Sequence, residues 1–425
     1  MFSPIALALA GLVTGSFQDS HAALVQARDV ANALEAVRAN EAWVVDQQIS
    51  LCEIEAPPFK EQKRAEALKA VFESLELTNV RIDAEGNVLG ERPGTDRASG
   101  AAPDVGGAPH LVFSAHLDTV FPEGTNVAVT RSGEGGALLK GPGIGDDCRG
   151  LAVVLGVIRA MKDAGVSTPG PITFVGTVGE EGLGDLRGVK HLFNVELKGQ
   201  VDRFVSVDGS GYGITHVAVG SRRYRVTFTG PGGHSFGDFG NANPIHGLGR
   251  AIAAISEFTV PASPKTTFSV GRVGGGTSVN SIPFEAWMEV DMRSVSADAL
   301  GALDRRFQTA MQAALAAENA RWGGRGAIAV DVTLVGDRPA GRIPDDEEVV
   351  RAAVGVTRAL GLPVSLDEGS TDANVPINLR IPAITIDGGG RGAGAHSLDE
   401  TFDTTDSWKG TQRALLVAIA LAGRQ

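Results

Sequence analysis

The chain has 425 residues, 43% of them hydrophobic and 21% charged, a globular balance at a length that suggests two or more domains. Asp and Glu number 50 against 38 Lys and Arg, and the net charge of -12 argues against nucleic acid or an anionic membrane as partner. Two cysteines, Cys52 and Cys148, cannot build a disulfide framework, and a reducing compartment, the cytoplasm, is the default they leave.

Pro4 to Val13 (PIALALAGLV) has the character of a signal-peptide core, which keeps export open as the alternative location. No Lys or Arg precedes Arg28, so the basic start of such a peptide is missing, and the run is too short to span a bilayer. No other uninterrupted apolar stretch reaches spanning length. Residues 21–48 carry apolar side chains at helical spacing until Ile49 to Phe59, with its double proline, breaks the pattern. Lys60 to Leu75 predicts a second helix, Val80 to Asn87 a strand running into a turn, and Arg92 to Gly107 a surface loop.

Leu111 to Thr119 (LVFSAHLDT) is a short apolar run rich in β-formers that ends in His116 and Asp118. Strand alternation sets both on one face at the strand's end, where they either hydrogen-bond to each other or hold a divalent metal. Lys140 to Gly150 (KGPGIGDDCRG) supplies tight turns and delivers Asp146 and Asp147 to the start of a helix over Leu151 to Ala164. One Asp can cap that helix while the other binds metal. A phosphate loop is disfavoured, since no Gly-Lys-Ser/Thr follows and paired carboxylates repel phosphate.

Pro171 to Val178 (PITFVGTV) reads as a buried strand ending in Glu180 and Glu181. Adjacent acids there are either a solvated pair or costly without a cation, and neighbouring positions point differently, so one can touch metal while the other serves as a general base. Val201 to Val207 is a further such strand, ending in Asp208. Four segments thus bring an acid, or a His and an acid, to what reads as the carboxyl end of a strand, where open parallel α/β sheets bind ligands. From Thr215 to Asp337 the order is strand, helix, two strands, helix, strand, a βαββαβ arrangement inserted into a parallel-sheet domain. Late in the chain the apolar run Ile381 to Ile386 leads into Gly388 to Glu400 (GGGRGAGAHSLDE), whose glycines leave His396 accessible and in which Glu400 supports the loop.

The set H-x-D, GPG-x-x-DD, GEEG, VDG and a late His resembles, in order and over nearly all the chain after about residue 40, the M20 family of metallopeptidases and deacylases. That resemblance implies an α/β fold: a zinc-exopeptidase-like catalytic domain with a mainly parallel sheet, formed by residues 36–213 and 338–425, and an inserted α+β lid or dimerisation domain over 214–337. Residues 1–35 form a separate signal-like or helical segment. It implies two divalent metal ions, zinc first and cobalt or manganese as alternatives. Asp146 bridges both, His116 and Asp208 complete one, and Glu181 and His396 the other. Asp118 orients His116, Glu180 is the general base, and His234 in GPGGHSF donates to the oxyanion, across a homodimer where the lid pairs. Asn280 and Arg293 match positions that bind a substrate carboxylate or amide. The family commonly has Lys after the paired acids; here Cys148 and Arg149 follow, and Cys148 is read as packing.

The implied activity is two-metal hydrolysis of an amide bond through an activated water, in a di- or tripeptide exopeptidase or, alternatively, an N-acyl amino acid deacylase. A phosphoesterase would need an Arg or Lys cluster among the ligand motifs, and a non-catalytic relative would have lost Glu180 or a ligand.

Overall fold

In the computed structural model, which describes residues 23–96 and 107–424, the apolar runs before His116, Glu180 and Asp208 form neighbouring strands of one sheet. The signal-like reading of Pro4 to Val13 and most of the loop from Arg92 to Gly107 lie outside the described residues. The chain divides into two units, one comprising the described residues up to Val217 with those from Arg342 on, the other Ala218–Gly341.

The first unit contains β1 (Thr78–Ile82), β2 (Val88–Arg92), β3 (Leu111–His116), β4 (Thr130–Ser132), β5 (Leu138–Lys140), β6 (Ile172–Thr177), β7 (Arg203–Val207) and β8 (Gly213–Ala218). The second contains β9 (Gly220–Thr229), β10 (Gly233–His234), β11 (Thr266–Gly275), β12 (Ser281–Ile282), β13 (Glu285–Ser294) and β14 (Ala329–Arg338). The chain ends with β15 (Gly341–Arg342), β16 (Ser365–Gly369), β17 (Ala383–Ile386), β18 (Arg391–Ala393) and β19 (Thr401–Asp403).

The large sheet runs β1-β2-β6-β3-β7-β17-β8-β15, with β16 beside β8. Its centre, β6-β3-β7-β17, is parallel, as continuous apolar runs buried on both faces require. The β1–β2, β2–β6 and β17–β8 pairs are antiparallel, so the sheet is mixed, with parallel pairing concentrated in the middle. Register sets His116 opposite Thr177 and Val207 opposite Ile386, which brings the carboxyl ends of these strands to one edge. The helix Cys148–Asp163, buried along most of its length, packs against β3. Among the described residues no helix is long and apolar enough to cross a membrane.

The strand running into a turn expected over Val80 to Asn87 is present: β1 ends at Ile82, and Asp83 Oδ1 accepts the amides of Glu85, Gly86 and Asn87 to close the turn. Two local expectations change. The first helical stretch is interrupted at Ala27 and again at Asn40, which parts Arg28–Ala39 from Glu41–Cys52, and the last of these runs past Ile49 before it ends ahead of the double proline. Asp146 does not follow a strand of the large sheet: β5 belongs to a small sheet, β18-β19-β5-β4, and turns intervene before the helix.

The second unit is the expected βαββαβ pattern, an antiparallel sheet in the order β11-β13-β9-β14. Alternate residues of β9 and β13 (Tyr224, Val226 and Phe228; Met288, Val290 and Met292) pack with the helices Pro244–Ser256 and Ala297–Arg321. Phe307 sits in this core with its ring 4.9 Å from that of Tyr224. Phe307→Ala should cost about 3–5 kcal/mol, read as an early unfolding transition in calorimetry; an unchanged trace would mean the core collapses around the cavity.

Candidate metal centre

His116 ends β3, and its ring is fixed from behind. Nδ1 lies 3.0 Å from the Asp118 carbonyl and 3.6 Å from Asp118 Oδ1, so the backbone oxygen is the nearer partner and the carboxylate the second. With Nδ1 as donor, Nε2 presents its lone pair outward, the form a metal ligand needs. The Asp118 carboxylate also reaches across to the next strand, where Oδ1 and Oδ2 accept the amides of Glu180 and Glu181, pinning the β6 exit to the β3 exit. Burial would raise Asp118, but His116 and those amides outweigh it and hold the carboxyl below its ordinary range.

The two adjacent acids split their work. Asp147 Oδ1 accepts from Gly150 N and caps the helix, while Oδ2 accepts from His116 N. Asp146, joined to it by a cis peptide, turns one oxygen to each side: Oδ1 is 3.0 Å from His116 Nε2 and Oδ2 is 3.0 Å from His396 Nε2. Asp208 Oδ1 stands 3.9 Å from His116 Nε2, and Glu181 Oε1 2.9 Å from His396 Nε2. His396 reaches this position from an exposed loop with φ of 65°, a left-handed backbone uncommon outside glycine. Two groups of ligand atoms therefore share one residue: His116, Asp146 and Asp208, and Asp146, Glu181 and His396, with atoms in each group within 4.8 Å of one another. Glu180, buried, joins His116 and Glu181 in a third such group.

Charge crowding tests whether this donor set fits cations. Burial and the neighbouring Asp146 push Asp208 up to about 7, while Asp146 and Glu181 pull His396 up to about 10. Burial works against Asp146 too, but His116 and His396 outweigh it and hold Asp146 charged, whereas Asp208 is left crowded toward its protonated form; divalent ions would supply the missing positive charge more compactly. Oxygen and imidazole donors without thiolate suit zinc, cobalt or manganese. Cys148 is buried with Val45, Cys52, Leu139, Ile144 and Phe402, as packing. Another group, Asp83, His191 and Glu196, has its donors committed elsewhere: Asp83 to its own turn and Asn87, Glu196 to Arg81 at 2.9 Å.

The remaining expected residues lie in the second unit. His234, on β10, accepts the amides of Phe236 and Gly237 at Nδ1, both at 3.2 Å, which fixes Nε2 as the N–H. Asn280 belongs to the same corner, its carbonyl accepting Ser235 N. Arg293 does not: it lies near the end of β13, eight residues beyond Glu285 and roughly 27 Å along the strand, and its Nε donates to Asp291 Oδ2 at 2.7 Å. In the loop Gly369 to Asn374, buried Asp372 accepts from Thr177 Oγ1 at the end of β6. Sequence reasoning had no sign of Arg64, a fully buried guanidinium whose Nη1 donates to the carbonyl of Leu117, between His116 and Asp118.

A family model described as Peptidase family M20/M25/M40 matches residues 112–420, and the chain belongs to that family, which sets it among hydrolytic enzymes. Carboxypeptidase G2 of Pseudomonas sp. (strain RS-16) is 27% identical over 234 residues, 53% of this chain and 53% of that protein, so the match spans about half the length of that curated relative. A tripeptidase structure from Staphylococcus aureus superposes with a TM-score of 0.72 at 24% identity, covering 91% of this chain and 99% of the other. The Bacillus subtilis YXEP protein, described as a dinuclear metal binding peptidase of the M20 family, superposes with a TM-score of 0.65 at 16% identity, covering 91% and 100%. At these identities the structural likenesses establish the fold.

Sharing of Asp146 gives unequal losses on substitution. His396→Ala should keep one of two divalent ions per chain and Asp146→Ala neither, by elemental analysis of the purified proteins; equal stoichiometry in both variants would contradict the shared carboxylate.

Proposed function

We propose that the chain is a two-metal hydrolase that cleaves an amide bond of a small peptide, as a di- or tripeptide exopeptidase. His116, Asp146 and Asp208 would hold one divalent ion, zinc in the first instance, and Asp146, Glu181 and His396 the other. The observation that carries this reading is Asp146, with its two oxygens turned to two different imidazoles. Ions held there supply Lewis acidity and make a neighbouring water acidic enough to lose a proton near neutral pH.

The chain's own groups do the rest. Glu180 takes a proton from the attacking water on its carboxylate and returns it to the leaving amine; its burial beside His116 and Glu181 supports the role. Asp118 holds both glutamates by their amides and so fixes the distance between base and ligand. His234 is the oxyanion donor, supported by a ring whose Nδ1 is occupied and whose Nε2 carries the hydrogen. Asn280, in the same corner, is assigned to a substrate amide or carboxylate, and Arg293 to a substrate carboxylate on its motif alone. The second unit is assigned as a lid that pairs in a homodimer through an edge of its sheet, β11 and β14 being the edge strands.

A panel of dipeptides, tripeptides and N-acyl amino acids with added zinc, cobalt or manganese tests the reading, and turnover of acylated amino acids alone would move the assignment to a deacylase. Glu180→Ala should reduce kcat by at least about 100-fold with metal content unchanged. A variant near the wild-type rate would remove Glu180 as the base.

A further inference from the structure

Glu400 is the side chain that joins the two halves of the metal centre. It is 2% exposed, yet it touches none of the imidazoles described above and stands in none of the ligand groups. Its Oε2 accepts Gly143 N at 2.8 Å, and its Oε1 accepts Gly145 N at 2.8 Å and Asp146 N at 3.0 Å. Its backbone carbonyl accepts a fourth amide, Gly141 N. One residue thus takes four of the amides in the turn run that delivers Asp146, at a place where backbone amides have no regular partner. The fit is close: a Cβ on Gly145 would come within 3.1 Å of Glu400 Oε1.

The same residue ends the loop that carries His396. Glu400 N donates to Ser397 O and Ser397 N to Gly394 O, closing the turns around His396. Directly after it, β19 pairs with β5, Thr401 opposite Lys140. The exposed Lys140–Asp399 ion pair alongside is worth little by comparison. The turns that deliver Asp146 and the loop that carries His396 are therefore fixed to each other through one carboxylate, across the 254 residues between Asp146 and Glu400.

We infer that Glu400 is a positioning residue for both metal ions, setting the distance between Asp146 and His396 through backbone amides. The inference rests on the two-metal reading of the site. Metal-stripped wild type, Glu400→Ala and Glu400→Gln, all full chain, are titrated with cobalt or zinc by calorimetry, and melting temperatures are recorded before and after loading. Wild type should take up two ions. Glu400→Ala should bind both about 10- to 100-fold more weakly, with a smaller rise in melting temperature on loading. Glu400→Gln should fall between, since its amide oxygen keeps one acceptor while its NH2 meets an amide N–H. A purely structural staple would lower the melting temperatures of stripped and loaded protein alike and leave affinity and increment at wild-type values, and that outcome overturns the inference. If Glu400→Ala does not fold, wild-type affinity in Glu400→Gln overturns it equally. Wild type that takes up no ion would refute the two-metal reading itself, whereas two ions bound equally by wild type and variants would refute the role of Glu400 alone.

Discussion

The candidate metal centre depends on one constraint, the crowding of acidic groups at a buried sheet edge. Asp146, Asp208, Glu180 and Glu181 converge where solvent screens poorly, and their charge has to be met. The molecule answers in two ways. Carboxylates that face away from the centre spend their oxygens on backbone amides: Asp118 on Glu180 and Glu181, Asp147 on His116 and Gly150, Glu400 on the turn before Asp146. Of those that face inward, Asp146 and Glu181 turn their oxygens to His116 and His396, the contacts that a cation would replace. Charge-assisted bonds of the first kind are strong and directional, which gives the inward set its fixed spacing.

Much of this was legible in the amino-acid order because the strands that build the edge are apolar throughout and stop at polar residues. The runs into His116, Glu180 and Asp208 are buried on both sides, and such runs are recognisable without knowing their neighbours. The split of roles between Asp146 and Asp147 was also accessible, since a helix start needs a cap and one of two adjacent acids supplies it. What escaped were bonds between a side chain and distant backbone. The grip of Arg64 on Leu117 O spans 53 residues and leaves no periodic trace. Asn40 parted a helix that apolar spacing alone ran straight through.

The departure after the paired acids has a physical account. Directly after the paired acids, Cys148 turns into a small apolar cluster. Arg149 then lies wholly buried, donating to Gly388 O, Ser407 O and Thr411 Oγ1. These acceptors belong to the exit of β17 and the entry of the helix Trp408–Leu421, so the guanidinium fastens the start of the Cys148–Asp163 helix to the segment that leads on to His396. Burying a guanidinium is costly without such partners, and the carbonyls at a strand exit and a helix entry provide them.

The excursion between Val217 and Arg342 leaves and rejoins the large sheet on neighbouring strands, β8 and β15. His216 clasps the two, its carbonyl accepting Ile343 N and its Nδ1 lying 2.8 Å from Ile343 O. Departure and return are thus stitched together inside the parent sheet, and its strand order owes nothing to what is spliced between them. The strands that carry His116, Glu180 and Asp208 up to the sheet edge therefore take their positions from pairings made entirely within the first unit.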